Sequence, residues 1–206
     1  MPGRLPIAIL VGLAACTWAL VLVVAGSEVG WEFAKPFSLV VGVISGALAG
    51  FDRWVWRWPG IRAAVGRPDL EGTYLGEVRS EWVNPESGAK PAPIPAALVI
   101  KQAYTALTVT LFTCENESVT LAASLECAAD GRHAVVWMYR AEPRLAVRDR
   151  NSMHHGAARL NVAGAGRLNG SYWTDRKTQG EMEFSRVSTT RAADFTEAHA
   201  LAQSTG

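Results

Sequence analysis

Arginines and flat rings are the residues of this 206-residue chain with the most chemistry to offer. Arg144, Arg148 and Arg150 stand close together, Arg176 is followed by Lys177, and Lys90 adds a further cation. A guanidinium grips a phosphate through two parallel hydrogen bonds, so such a group suits an anionic ligand. The rings are Tyr74, Trp82, Trp137, Tyr139 and Tyr172, and they are joined by the polar side chains of Gln102 and Thr174. Flat rings stack on nucleobases, while amides and hydroxyls bond to base edges. Together these residues point to a ligand with bases and phosphates. Each also has a plainer reading. The arginines solvate a loop that holds Glu142 and Asp149, and the aromatics fill a core.

Catalytic and metal chemistry find no comparable support. No G-x-x-x-x-G-K-[ST] loop occurs, and Gly164-x-Gly166-x-x-x-Gly170 misses the dinucleotide fingerprint by one residue and lies between strands. His154 and His155 are adjacent on a strand, so they point to opposite faces and cannot share one ion. Ser, His and Asp stand in no triad context. The chain is therefore read as not an enzyme, with no metal and no resident cofactor. Its net charge of +1 gives no argument for binding a DNA or RNA polymer.

Strands must position these residues. From Leu70 the sequence alternates with period two: Leu70, Gly72, Tyr74, Gly76, Val78, Ser80 and Trp82 share one face. Further strands are predicted over Ala96–Ala103, Ala106–Cys114, Glu117–Cys127, His133–Ala141, Met153–Ala163, Arg167–Thr174 and Thr178–Ser188. Short links such as Asp130-Gly131 suggest an up-and-down antiparallel order. Eight such strands avoid exposed edges by closing into a barrel, with room inside for side chains or one small ligand. Inward glycines and alanines, such as Gly72, Gly76, Gly156, Ala158 and Gly170, either widen that space or let strands bend at barrel corners. Loops then alternate between the two ends. One end gathers the long loops Val83–Pro95 and Glu142–Ser152, with Glu115–Asn116 and Asp175–Lys177, and so collects the cations. Long loops on a rigid rim are where function tends to sit.

The start of the chain reads differently. Leu5–Gly26 and Pro36–Phe51 carry no charge. About 20 apolar residues in a helix cross a hydrocarbon core; the first run meets this, and Trp54, Trp56 and Trp58 would extend the second. Arg4 precedes the pair, and Arg53, Arg57, Arg62 and Arg67 follow it, so the positive-inside rule places the barrel in the cytosol. Leu13-Ala14-Ala15-Cys16 resembles a lipobox, but Thr17–Gly26 stays apolar where a processed lipoprotein turns polar. Gly42-x-x-x-Gly46-x-x-x-Gly50 is a small-residue ladder of the kind that brings membrane helices together. Three sparse cysteines, Cys16, Cys114 and Cys127, fit a reducing compartment. The expected fold is an N-terminal two-helix transmembrane hairpin followed by an all-β, eight-stranded up-and-down antiparallel barrel. Its parts are an anchor over 1–58, a linker over 59–69, the barrel over 70–188 and a tail over 189–206.

Three sets of residues carry a resemblance to a known family. They are Leu70-x-Gly72-x-Tyr74-x-Gly76, Ile100-x-Gln102, and Leu168-x-Gly170-x-Tyr172-x-Thr174-x-Arg176-x-x-x-Gly180. With the two apolar runs ahead of them, they resemble the two-transmembrane, β-strand-rich effectors of CBASS antiphage systems. Tyr74 stands where that family usually has tryptophan. The resemblance implies a cyclic di- or oligonucleotide as activating ligand, bound in a minimal barrel. It also implies clustering of the helices into a homo-oligomer and disruption of the bacterial inner membrane. The candidate ligand-binding set is Tyr74, Gln102, Trp137, Tyr139, Arg148, Tyr172, Thr174 and Arg176, with the lipid bilayer as the other partner. Two rival readings are a tethered barrel that carries a lipid or other apolar ligand, and a scaffold with a filled barrel.

Overall fold

The computed structural model describes residues 31–164 and 166–204, with positions 12, 15, 16, 18–20 and 23 nearer the start. The chain divides into two compact units, Met1–Arg67 and Pro68–Gly206. Most of the first apolar run, Leu5–Gly26, lies outside the described residues.

In the first unit, helix α1 spans Trp31–Arg53 and contains the whole second apolar run. Among the described residues no helix is long and apolar enough to cross a membrane. Glu32 and Lys35 sit in the first turns of α1 and Asp52 and Arg53 in its last, leaving an uncharged stretch of 16 residues, Pro36–Phe51, against about 20 for a span. The tryptophans do not extend it, contrary to the sequence reading. The helix ends at Arg53, and Val55–Arg57 forms a 3-10 turn. Trp54 and Trp58 are exposed, whereas Trp56 is buried with the Arg57 guanidinium 5.1 Å from its ring. A short helix α2, Pro59–Val65, follows within the predicted linker. Trp58 is extended, as a residue before proline prefers, and Pro59 then fits the first helical position.

The second unit is a closed barrel of eight antiparallel strands in sequence order, β1 to β8. They are β1 Gly72–Ser80, β2 Ile94–Gln102, β3 Leu107–Thr113 and β4 Asn116–Cys127. Then come β5 His133–Pro143, β6 His154–Ala163, β7 Arg167–Thr174 and β8 Gln179–Ser188. Period-two alternation builds the interior: Leu98, Ile100, Val109, Val135, Leu160, Leu168 and Phe184 all point in and are buried. Closure pairs β1 with β8 from Thr73↔Ser188 to Ser80↔Gly180, so no edge is left open. Gly76 and Gly170 serve the bending rather than the interior. A Cβ on either would run into backbone of the neighbouring strand, at the Glu183 and Arg159 carbonyls.

The β3–β4 seam is stitched partly by hydroxyls. Ser118 Oγ accepts from the Leu111 N–H at 2.8 Å, and Thr120 Oγ1 from the Val109 N–H at 2.9 Å. The tail is also part of this unit. Thr73 Oγ1 donates to the Thr190 carbonyl at 2.7 Å and accepts from the Ala192 N–H at 2.9 Å. Asp194 and Glu197 cap helix α3, Phe195–Ser204, reciprocally: Asp194 accepts from the Glu197 N–H at 2.8 Å, and Glu197 accepts from the Ala193 N–H at 2.6 Å. The helix lays Ala198 and Phe195 on the outer wall against Ala97, Val99 and Phe112. Apolar cover on that wall explains why β2 is buried on both faces over Ala96–Ile100.

Candidate functional site

A cavity of about 560 Å³ opens at the barrel mouth, the end built by the β1–β2, β3–β4, β5–β6 and β7–β8 connections. That is the end at which the sequence gathers its cations. The volume lies in the range of small-molecule sites, roughly 300–1,000 Å³. Tyr139 and Tyr172 point inward from β5 and β7 and line it, and Thr174 and Arg176 stand above them toward the rim. Ring space comes partly from Gly156: a Cβ there would lie 2.5 Å from the Tyr139 ring, so glycine is what lets Tyr139 occupy its place. The cavity is thus not widened by Gly156, because the tyrosine fills the vacated volume.

Burial dominates the electrostatics of the wall. It pushes the Tyr139 hydroxyl well above its ordinary value, with the nearby Tyr172 adding to the shift, so Tyr139 is a neutral donor at pH 7. Burial lowers His154, which lines the same cavity and is therefore a neutral imidazole near pH 7. Its Nδ1 lies 3.0 Å from the Ser152 carbonyl. On the β7–β8 turn, Asp175 is held below its usual range by the His155 backbone N–H at 3.0 Å, and it stays ionised. Arg176 donates to the neutral amide oxygen of Asn151 at 3.0 Å and forms no ion pair with a carboxylate among the described residues. Arg150, by contrast, is paired with Glu115.

The structure brings four of the eight sequence-predicted residues to this cavity: Tyr139, Tyr172, Thr174 and Arg176. Trp137 lies one inward position below Tyr139, their ring centroids 6.3 Å apart, and it is buried with an indole N–H that has no hydrogen-bond partner. Tyr74 and Gln102 lie at the opposite end, where the chain enters the barrel. Gln102 accepts from the Leu70 N–H at 2.7 Å and donates to the Pro68 carbonyl at 3.1 Å. The Tyr74 hydroxyl donates to the Leu70 carbonyl at 3.0 Å. Arg148 is exposed in the β5–β6 connection and donates to the Pro143 carbonyl at 3.1 Å, outside the cavity lining. Trp82, placed inward by its period, is 46% exposed and lines the rim.

Arg150, Asn151 and His154 line the mouth but are absent from the predicted set. His154 was legible, since it shares the inward parity of Gly156 and Ala158. Arg150 and Asn151 lie in a loop with no period to read. A second hollow, about 450 Å³, lies on the outer wall among Glu77, Glu181 and Glu183. Three carboxylates there repel an anion, so the mouth is the better site for one. Among the described residues, no three His, Cys, Asp or Glu side chains converge as metal ligands.

The comparisons with known proteins concern this barrel. Residues 65–186 match the family described as Cap15, cyclic dinucleotide receptor domain, and the chain belongs to that family. The resemblance drawn from the sequence motifs to CBASS effectors therefore holds, and it rests on the part of the chain that forms the barrel. A curated relative is CD-NTase-associated protein 15 of Staphylococcus schleiferi, which is 23% identical over 160 residues. The alignment covers 78% of this chain and 82% of the relative.

Proposed function

We propose that this protein is a membrane-attached antiphage effector whose barrel mouth senses a cyclic di- or oligonucleotide. The observation that carries the reading is Arg176, at the rim of a cavity of about 560 Å³ and in no ion pair with a carboxylate among the described residues. A ligand phosphate exchanges with the Asn151 amide, gaining a charge-assisted bond in place of a neutral acceptor. Below it, Tyr139 and Tyr172 offer ring faces to the bases, and their hydroxyls offer hydrogen bonds. The rival of an apolar-ligand carrier gives no use for the rim cations.

The test is calorimetric titration of the full chain in detergent with 3′,5′-linked cyclic dinucleotides and with a fatty acid. Saturable binding of a cyclic dinucleotide that weakens with added salt supports the reading. Binding of the fatty acid alone overturns it in favour of the carrier.

The N-terminal part is the proposed attachment to the bacterial inner membrane, with the barrel facing the cytosol. The uncharged run Leu5–Gly26 and the arginines that follow the second run support this. The same reading gives α1 the role of associating element. Gly42 and Gly46 are exposed on it at four-residue spacing, and a Cβ at either meets nothing within 4 Å. Gly46→Leu is expected to leave nucleotide affinity unchanged and to block oligomer formation and dye entry in cells given the signal. Wild-type dye entry at equal protein level would reduce the helices to passive anchors.

A further inference from the structure

A receptor for an anion has no evident use for a carboxylate in its binding site, yet Glu115 lines the mouth. It sits on the β3–β4 turn and is ion-paired with Arg150 from the β5–β6 connection. Its backbone is held independently of that pair. The Glu115 N–H donates to Thr113 Oγ1 at 3.3 Å, and its carbonyl accepts from the Arg144 N–H at 2.9 Å. The next residue, Asn116, accepts through Oδ1 from Asn151 Nδ2 at 3.0 Å, and Asn151 Oδ1 in turn accepts from Arg176 at 3.0 Å. Three connections are therefore joined across the mouth by side-chain contacts. The two arginines end up in different electrostatic states. Arg176 rests on a neutral amide and forms no ion pair among the described residues, whereas Arg150 is already paired with a carboxylate.

We infer that Glu115 is an internal competitor for one of the ligand's two phosphates, occupying Arg150 as an anion surrogate until a ligand displaces it. The inference rests on the reading that the mouth binds a cyclic dinucleotide, which carries two phosphodiester charges. One phosphate meets Arg176 without breaking an ion pair. The other reaches Arg150 only by breaking the existing ion pair, so its contribution is a difference between two similar interactions. The pair is half-exposed, at 67% for Arg150 and 37% for Glu115, so the exchange is small in free energy and reversible. Glu115 thereby sets the ligand concentration at which the receptor responds. A ligand with one phosphate uses Arg176 and leaves the Glu115–Arg150 pair intact.

The test is titration of the full chain in detergent with 3′,5′-linked cyclic dinucleotides and with the corresponding 5′-mononucleotides, for four proteins: wild type, Glu115→Gln, Arg150→Gln and the double variant. Glu115→Gln keeps the backbone contacts of the turn, and its thermal midpoint serves as the check on folding. It is expected to bind the cyclic dinucleotide about two- to fivefold tighter, the size of a half-exposed ion pair, with mononucleotide binding unchanged. The double variant is expected to lose that gain. Arg150→Gln is expected to weaken the dinucleotide and spare the mononucleotide. A merely structural Glu115 would give weaker or equal binding in Glu115→Gln, and that result overturns the inference while the receptor reading stands. A gain that persists without Arg150 also overturns it, because the effect would then be one of bulk charge. If no cyclic dinucleotide binds either wild type or Glu115→Gln, the receptor reading falls and this inference falls with it.

Discussion

The two ends of the barrel hold the same side-chain types against different partners. The entry end holds a tyrosine, an amide and a guanidinium: Tyr74, Gln102 and Arg186. So does the mouth, in Tyr139, Asn151 and Arg176. At the entry end the partners are backbone atoms of the segment that leads into β1. Gln102 bonds to Leu70 and Pro68, Tyr74 to Leu70, and Arg186 to the carbonyls of Asp69 (3.2 Å) and Glu71. The Arg186 guanidinium also lies 5.8 Å from the Tyr74 ring centroid. At the mouth the partners are other side chains, Asn116 at the start of β4 and Asn151, Glu115 and Arg150 in the connections. A backbone carbonyl in a closed barrel cannot leave its donor, whereas a side-chain amide can rotate away and let a ligand in. The two clusters thus differ in the nature of their partners rather than in their residue types.

Gln102→Leu should give the largest effect, and on stability alone. It strands a buried donor, the Leu70 N–H, and a half-buried acceptor, the Pro68 carbonyl, which costs about 2–4 kcal/mol. Urea unfolding of the full chain checks this, and the folded protein should keep its affinity for a cyclic dinucleotide. A loss of affinity at full folding would place Gln102 in the site after all and erase the contrast.

Arg176→Ala should do the reverse. A lost charge-assisted contact of about 1.5–3 kcal/mol weakens cyclic dinucleotide binding roughly ten- to a hundredfold. Stability should change by no more than about 0.5 kcal/mol, as for an exposed side chain. A fall in the unfolding midpoint as large as that of Gln102→Leu would make the mouth a second structural clamp.

The third effect, absent at neutral pH, is a pH dependence that probes the entry end. Burial pushes the Tyr74 hydroxyl up to about 12, against an ordinary value of 10.0, with the Arg186 charge opposing and the Asp69 charge adding to the rise. Folding favours the protonated form. The stabilisation is therefore fully present below pH 10 and is lost as the pH rises from 10 toward 12, at up to about 1.4 kcal/mol per unit. Tyr74→Phe should flatten that part of the stability profile. A slope unchanged by the substitution would assign the alkaline loss to other groups, with Tyr139, raised in the same direction, the first to test.

Alternation of apolar and polar residues determined the barrel. β7 runs over Arg167–Thr174, the span its period marks, and the other strands differ from their sequence-read limits by about two residues at most. The reason is local: a strand with one face in a core must alternate, and short links between strands leave an up-and-down order as the simplest closure. The distal collection of arginines was legible on the same grounds, because loops in such an order alternate between ends. Period alone fixes which face a residue is on, and it separates Tyr74 from Thr73, but it says nothing of what the side chain meets. That Tyr74 and Gln102 turn back onto residues 68–71, while Tyr139 and Tyr172 face an open mouth, depends on the stagger of strands around the closed barrel and on the path of the entering chain.

Loops carry no period at all. Arg148 bonds to the Pro143 carbonyl and leaves the cavity, whereas Arg150, two residues on, pairs with Glu115 across it, and only the folded 3-10 turn at Leu145–Val147 with its neighbours decides between them. The tail needed the barrel as well. Asp194 and Glu197 cap α3, but the apolar patch of Ala97, Val99 and Phe112 that receives it exists only once β2 and β3 are side by side.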